Sequence, residues 1–208
     1  MGETRAFITL KTEGSASLVE KKSEFIGFAR PVRSEAEALS YLAALRKAHP
    51  AARHHVYAYI VDGAMRYSDD GEPQGTGGVP VLDLLRKSGL EGAVVVVVRY
   101  FGGILLGAGG LVRAYSAAAK LALEQAQTVQ MQPFTEARLL CSYSDYQRVQ
   151  RELERFHAKL DGCEYTDVVA LSVAVRSDCF EALQNDLTEW SAGRLSLVST
   201  GSRYDSED

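Results

Sequence analysis

Residues 93–113 read AVVVVVRYFGGILLGAGGLVR, and this stretch decides the fold of the first part of the chain. The short β-branched run Ala93–Val98 has the composition of a central strand. It does not alternate between apolar and polar, so both its faces must be covered. In a two-layer domain that second cover is expected from a neighbouring domain, a partner chain or a ligand surface. Gly102, Gly103, Gly107, Gly109 and Gly110 follow, then AYSAAAKLALEQA, a helix reaching about Gln127 with Ala114, Ala117, Ala118 and Leu121 on one face. A glycine-rich bridge from a buried strand into a helix suits an anion. Glycines take φ > 0 and admit a ligand close to the main chain, and the helix start offers unpaired N–H groups and the positive end of its dipole. The same glycines also suit a purely architectural use, turning the loop and letting the helix press on the sheet.

Upstream, FITLKT (7–12) and ASLVEKKSEFIGFARPV (16–32) are strand-like, with Glu13-Gly14-Ser15 expected as the hairpin turn between them. Ser34 and Glu37 form a capping box for a helix carrying Leu39, Leu42 and Leu45, with Pro50 just past its end. In RHHVYAYIVDG, His55, Tyr57, Tyr59 and Val61 alternate with Val56, Ala58, Ile60 and Asp62, the pattern of a half-buried strand. Residues 66–78, RYSDDGEPQGTGG, hold four glycines, a proline and three carboxylates, and are expected as a loop. Val79-Pro80 opens a short helix with Gly89 at its C-terminal cap.

Gln130 to Pro133 reads as a linker. Beyond it come TEARLLCS, DYQRVQRELERFH, AKLDGCEY, VVALSVAVR, DCFEALQNDLTEW and RLSLVSTG, in the order β-α-β-β-α-β of a ferredoxin-like domain. Ser144 and Ser177 are expected as N-caps, Gly193 as a C-cap and RYDSED as a frayed acidic tail. The fold class is therefore α+β, with two domains. Residues 1–130 form an N-terminal two-layer α/β sandwich, and residues 131–208 a C-terminal ferredoxin-like domain.

The chain has 208 residues, 46% hydrophobic and 24% charged, the composition of a globular protein with a real core. No apolar run approaches the roughly 20 residues needed to span a bilayer, and the opening MGETRAFITLKTEGSAS lacks a signal-peptide apolar region. Three cysteines without CxxC spacing, Cys141, Cys163 and Cys179, point away from a disulfide framework or zinc site and towards a reducing cytoplasm. Residues 1–132 carry 15 Lys+Arg against 13 Asp+Glu, whereas residues 133–208 carry 8 against 14. Phosphate contacts need neutralising cations, so any nucleic-acid contact is expected in the first part.

Arg53, Arg66, Arg99 and Arg113 flank the glycine-rich loops, with the bidentate fork that suits phosphate. Tyr57, Tyr59, Tyr67, Tyr100 and Phe101 offer rings for base stacking or for core packing. His54 and His55 are adjacent in a strand and point to opposite faces, one expected in the core and one at the surface. Asp69, Asp70 and Glu72 supply oxygens suited to Mg²⁺, but their spacing is not that of an EF-hand, and a solvated turn is the commoner use. There is no G-x-S-x-G, H-E-x-x-H or Walker loop, so no catalytic residue is assigned and no cofactor or metal is expected. The cysteines fit inert core positions.

Taken together, RHHVYAY (53–59), YSDDGEPQGTGG (67–78) and VVRYFGGILLGAGGLVRAY (97–115) resemble the IMPACT family, in its bacterial YigZ-like branch, over about residues 17–126. The C-terminal part resembles the family's second domain, itself similar to domain V of elongation factor G. The resemblance implies an N-terminal fold shared with domain 2 of ribosomal small-subunit protein five and with several translation factors, and a role around translation. Eukaryotic relatives are similar only in this first domain, and they restrain the starvation-responsive initiation-factor kinase by competing for its activator. From them only the translation link carries over. Family members are also labelled proline dipeptidases, a label for which this sequence holds no metal-ligand set.

Both signature loops fall in one domain and are expected to meet at one surface. The candidate binding set is Arg53, His54, His55, Asp69, Asp70, Gly71, Glu72, Gly75, Gly77, Gly78, Arg99, Tyr100, Gly102, Gly103, Gly107, Gly109, Gly110 and Arg113. The expected function is a non-enzymatic binding protein that contacts RNA, the ribosome or a translation factor. Two other readings stand beside it. One is a metal-dependent hydrolase or phosphotransfer enzyme using Asp69, Asp70, Glu72 and a histidine. The other is a protein-interaction module that presents the valine face.

Overall fold

The structure is a computed structural model that describes residues 5–61 and 63–206. Asp62 of the alternating strand and the last two residues of the acidic tail lie outside the described residues. Phe7–Gln130 forms one compact unit, and residues 131–206, with Arg5 and Ala6, belong to the other.

The first unit contains β1 (Phe7–Leu10), β2 (Gly14–Glu20), β3 (Ser23–Pro31), α1 (Glu35–Ala48), β4 (His54–Val61), β5 (Ala64–Ser68), α2 (Gly78–Lys87), β6 (Ala93–Tyr100) and α3 (Ala108–Ala126). Its sheet runs β2-β3-β6-β4-β5, antiparallel throughout, with the valine strand β6 at the centre. The two parities of that strand serve two cores. Val95 and Val97 pack with Phe25, Val56 and Ala58 under α2 and α3. Val94, Val96 and Val98 pack with Tyr59 against Ala38, Tyr41, Leu42 and Leu45 of α1. The second cover therefore comes from the domain's own helix and not from outside it. For the same reason β4 is buried along nearly its whole length rather than half-buried. Each valine so enclosed contributes roughly 1.5 kcal/mol.

Several local expectations shift. The hairpin turn is not at residues 13–15 but at Lys21 and Lys22, which take φ of 45° and 65° and close β2 onto β3 as a two-residue turn. Gly14 lies within β2, where a Cβ would stand 2.4 Å from the Ala122 carbonyl oxygen, and a Cβ on Gly27 would stand 2.3 Å from that of Ala118. These two glycines let α3 lie directly on the sheet. The inward stripe of α3 is Leu111, Ala114, Tyr115, Ala118, Ala119, Ala122 and Ala126, set by spacings of four. Ala117 and Leu121 fall outside it. Ser34 caps α1 by accepting from Glu37 N–H at 3.2 Å, while Glu37 Oε2 accepts from Arg33 N–H at 2.7 Å. Leu39 is exposed on the outer side of that helix. Residues 66–68 belong to β5, so the loop is confined to residues 69–77.

The second unit holds β7 (Thr128–Cys141), α4 (Tyr143–Arg155), β8 (Lys159–Tyr165), β9 (Val169–Arg176), α5 (Phe180–Trp190) and β10 (Leu197–Ser206). Its strands are antiparallel in the order β10-β7-β9-β8. Val149 and Leu153 of α4, with Leu183 and Leu187 of α5, pack on Leu139, Leu171, Val173 and Val175. This is the ferredoxin-like arrangement. The expected linker, residues 130–133, is part of β7. The helix caps are Ser142, which accepts from Asp145 N–H at 3.2 Å, and Cys179, rather than Ser144 and Ser177. Arg203–Ser206 are not frayed: they pair with β7, and Arg203 binds both oxygens of Asp161. No helix among the described residues is long and apolar enough to cross a membrane.

Close approach of α3 predicts the cost of adding a methyl group. Gly27→Ala is expected to destabilise by about 1–3 kcal/mol through overpacking. Gly63→Ala has open space around it and only φ +74° against it, and is expected to cost about 1 kcal/mol. Urea unfolding of the two variants checks the order.

Candidate functional site

Val95, Val97 and Arg99 share a strand face, so the Arg99 guanidinium is carried into the core, where the residue is 5% exposed. Its Nη1 donates to Glu72 Oε1 at 2.6 Å, and its Nη2 to Ser23 Oγ at 3.3 Å. The Tyr115 hydroxyl, from α3, donates to the same Glu72 oxygen at 2.7 Å. His54 Nε2 stands 3.7 Å from it, while His54 Nδ1–H donates to the Asp70 carbonyl at 2.8 Å. Ser23 Oγ also accepts from Gly102 N–H at 3.1 Å. One buried knot thus joins the 69–77 loop, the end of β6, the β2–β3 hairpin, α3 and the glycine loop after β6. A buried carboxylate is tolerable only when paired and hydrogen-bonded, and Glu72 meets both conditions. Burial and the bond to Glu72 push the Tyr115 hydroxyl far above its usual value, so it serves as a donor only. Phe25 sets its ring edge-on to Tyr115 at 5.1 Å, and the Arg99 guanidinium lies over Phe25 and Phe101.

The other two carboxylates of the loop are equally committed. Asp69 accepts from Gly75 N–H at 2.8 Å, Gly77 N–H at 3.0 Å and Gly78 N–H at 2.8 Å, closing the loop and capping the start of α2. Asp70 accepts from His55 N–H at 2.7 Å and pairs with Arg46 at 2.8 Å. The three acids are therefore neither a solvated turn nor a shared ligand set. Among the described residues no group of three or more His, Cys, Asp and Glu is placed to hold a metal ion. His54 and His55 are both buried, because helices cover both faces of β4. Burial holds His55 below its usual value, against the opposing pull of Asp70.

The expected binding residues therefore separate. Arg99 is spent on Glu72 and cannot reach a ligand's phosphate. Tyr100 points the other way and bonds His49 at 2.9 Å. Gly71 and Gly75 take φ > 0 to turn the loop, while Gly77 and Gly78 leave no room for a Cβ beside Val56 and Ser68. Gly102 is pressed on the hairpin tip, where a Cβ would stand 2.0 Å from the Lys22 carbonyl; Gly103 and Gly107 take φ > 0 in open space, and Gly109 and Gly110 begin α3. Arg53 and Arg113 remain exposed, and Arg53 lies over the Phe101 ring. Sequence reasoning missed Ser23, Tyr115, Lys21 and Lys22. Strand parity could have placed Arg99 inside, and Tyr115 is the one aromatic residue of α3.

The first unit is an α/β domain whose sheet is enclosed by its own helices and finished by two knotted glycine loops. The model of the Impact N-terminal domain matches residues 21–123, and a domain of unknown function (DUF1949) matches residues 139–194. The chain is 36% identical over 184 residues to the IMPACT family member YigZ of Escherichia coli K12, covering 86% of this chain and 90% of that one. It is 33% identical over 195 residues to the IMPACT family member YvyE of Bacillus subtilis 168, covering 92% and 90%. A crystal structure of a hypothetical protein matches with a TM-score of 0.64 at 34% identity, over 94% of this chain and 97% of that one. The chain belongs to the IMPACT family.

Glu72→Gln would leave the Arg99 charge buried without its counter-charge, and is expected to cost about 3–5 kcal/mol in urea unfolding. His55 predicts a pH effect. Its folded value lies below its unfolded one, so the unfolded chain takes the proton first as pH falls through about 6.5. Stability is therefore whole above that pH and is lost below it. Unfolding midpoints at neutral and mildly acid pH should show a smaller acid loss in His55→Gln than in the unmodified chain.

Proposed function

We propose that this protein is a translation-linked, cytoplasmic binding protein that contacts RNA, on the ribosome or in a translation complex, through the loop end of its first unit. Membership of the IMPACT family supports the translation link. The observation that carries the RNA contact is the surface around the buried knot. Lys21, Lys22, Arg53 and Arg113 are exposed there. Phe101 is 39% exposed beneath the Arg53 guanidinium and Leu105 is 81% exposed. Helix α3 opens among them with neither an acidic residue in its first turn nor a side-chain cap. Cations, an aromatic platform and a helix start form the combination that holds a phosphate backbone and stacks its bases.

The hydrolase reading loses its support, because Asp69, Asp70 and Glu72 are each turned to a different set of protein donors. The interaction-module reading loses its open valine face to α1.

Ribosome co-sedimentation across a salt series tests the proposal. Association should weaken steeply with salt. The double variant Lys21→Ala/Lys22→Ala and the single variant Arg53→Ala should each weaken it, the salt slope falling by about one for every phosphate that is no longer neutralised. No association at low salt, or variants that sediment like the unmodified chain, would overturn it.

A further inference from the structure

The second unit has a cavity of about 560 Å³ at one end of its sheet. Register builds it. Phe134 at the start of this stretch of β7 pairs with Arg176 at the end of β9, and Lys159 at the start of β8 pairs with Ala174. Arg155, Phe156 and His157 reach the same end as α4 finishes, and Cys179 caps α5 there without a side-chain bond to the helix.

The charge of this lining is opposite to that of its surroundings. Residues 133–208 carry 14 acidic side chains against 8 Lys+Arg. Three of those eight, Arg155, Lys159 and Arg176, line the cavity with His157, and among the described residues no carboxylate lines it. The cations have partners outside the lining: Arg155 pairs with Asp186, Lys159 with Asp205 at 2.9 Å and Arg176 with Asp178. Arg155 is the most exposed of the three cations and so the most weakly held, whereas Lys159 and Asp205 are each 28% exposed and Arg176 bonds both oxygens of Asp178. A phosphate offering several acceptors to converging donors competes well for these cations. The start of α5 adds the positive end of a helix dipole.

Size decides what accompanies the phosphate. Cavities of roughly 300–1,000 Å³ hold small organic ligands, and a bare phosphate would leave most of this one empty. The partly buried Phe156 ring and Phe134, over which Lys159 Nζ lies at 5.3 Å, give the wall an apolar aromatic side. We propose that this cavity binds a nucleoside 5′-phosphate, with the phosphate on Lys159 and Arg176 and the base against Phe156. The site is independent of the RNA surface proposed for the first unit.

Calorimetric titration of the full chain tests it, with AMP, adenosine and inorganic phosphate as probes. AMP should bind at least about tenfold more tightly than either of the others, and Lys159→Gln and Arg176→Gln should each weaken it about tenfold. Arg138→Gln, on the same sheet outside the cavity, should bind as the unmodified chain does. AMP should also slow alkylation of Cys179 but not of Cys163, a readout that needs no variant. A 5′-phosphorylated oligoribonucleotide compared with AMP separates the two sources of the group. Tighter binding of the oligonucleotide assigns an RNA 5′ end, and tighter binding of AMP a free nucleotide. No binding of AMP or the oligonucleotide into the millimolar range, equal binding of AMP and adenosine, or folded Lys159 and Arg176 variants that bind normally would overturn the proposal.

Discussion

The burial of Arg99 against Glu72 is the constraint on which the first unit is arranged. A guanidinium placed on the inner parity of a valine strand cannot remain there uncompensated, since an unpaired buried charge costs several kcal/mol. The compensation is drawn from far along the chain: a carboxylate from the 69–77 loop, a hydroxyl from α3 and a serine from the β2–β3 hairpin. Each partner then holds something else. Ser23 holds Gly102, and the Glu72 segment leans on His54 through its neighbour Asp70. Tyr115 can reach Glu72 because the alanine stripe and the glycines of β2 and β3 let α3 lie close on the sheet. Packing and electrostatics are thus one problem solved together.

This arrangement divides the charged residues of the signature into two groups with different physics. Arg99, Glu72, Asp69 and Asp70 are bonded mainly to one another's loops and to the backbone, tying the two loops together. Lys21, Lys22, Arg53 and Arg113 stand in solvent around that frame. In the proposed function these exposed cations are the groups that meet an extended polyanion. The second unit differs: the cations collected at one end of this otherwise acidic domain are each paired with a carboxylate.

Much of this was legible in the chain itself. The valine run, the capping box at Ser34 and the β-α-β-β-α-β order of the second unit each follow from local pattern, and the structure carries all three. The cover on β6 was misplaced because a sequence pattern says that a face is buried and not by what. The hairpin at Lys21 and Lys22 was invisible because lysine is not a turn former; the pairing of Phe25, Phe28 and Ala29 with β6 sets the register, and the turn follows. The site was the least legible part. Arginines beside glycine loops suggest phosphate, but whether such an arginine is spent on a carboxylate depends on contacts 27 residues away, as for Glu72 and Arg99.

Amide hydrogen exchange in Tyr115→Phe tests the central claim most directly. The substitution keeps the ring and removes only the hydroxyl that Glu72 accepts from. If one knot holds both glycine loops, exchange at Glu72 and at Gly102 should speed up together by about tenfold, while Leu171 in the second unit stays as it was. Faster exchange at Glu72 with Gly102 unchanged, or no change at either, would contradict the account.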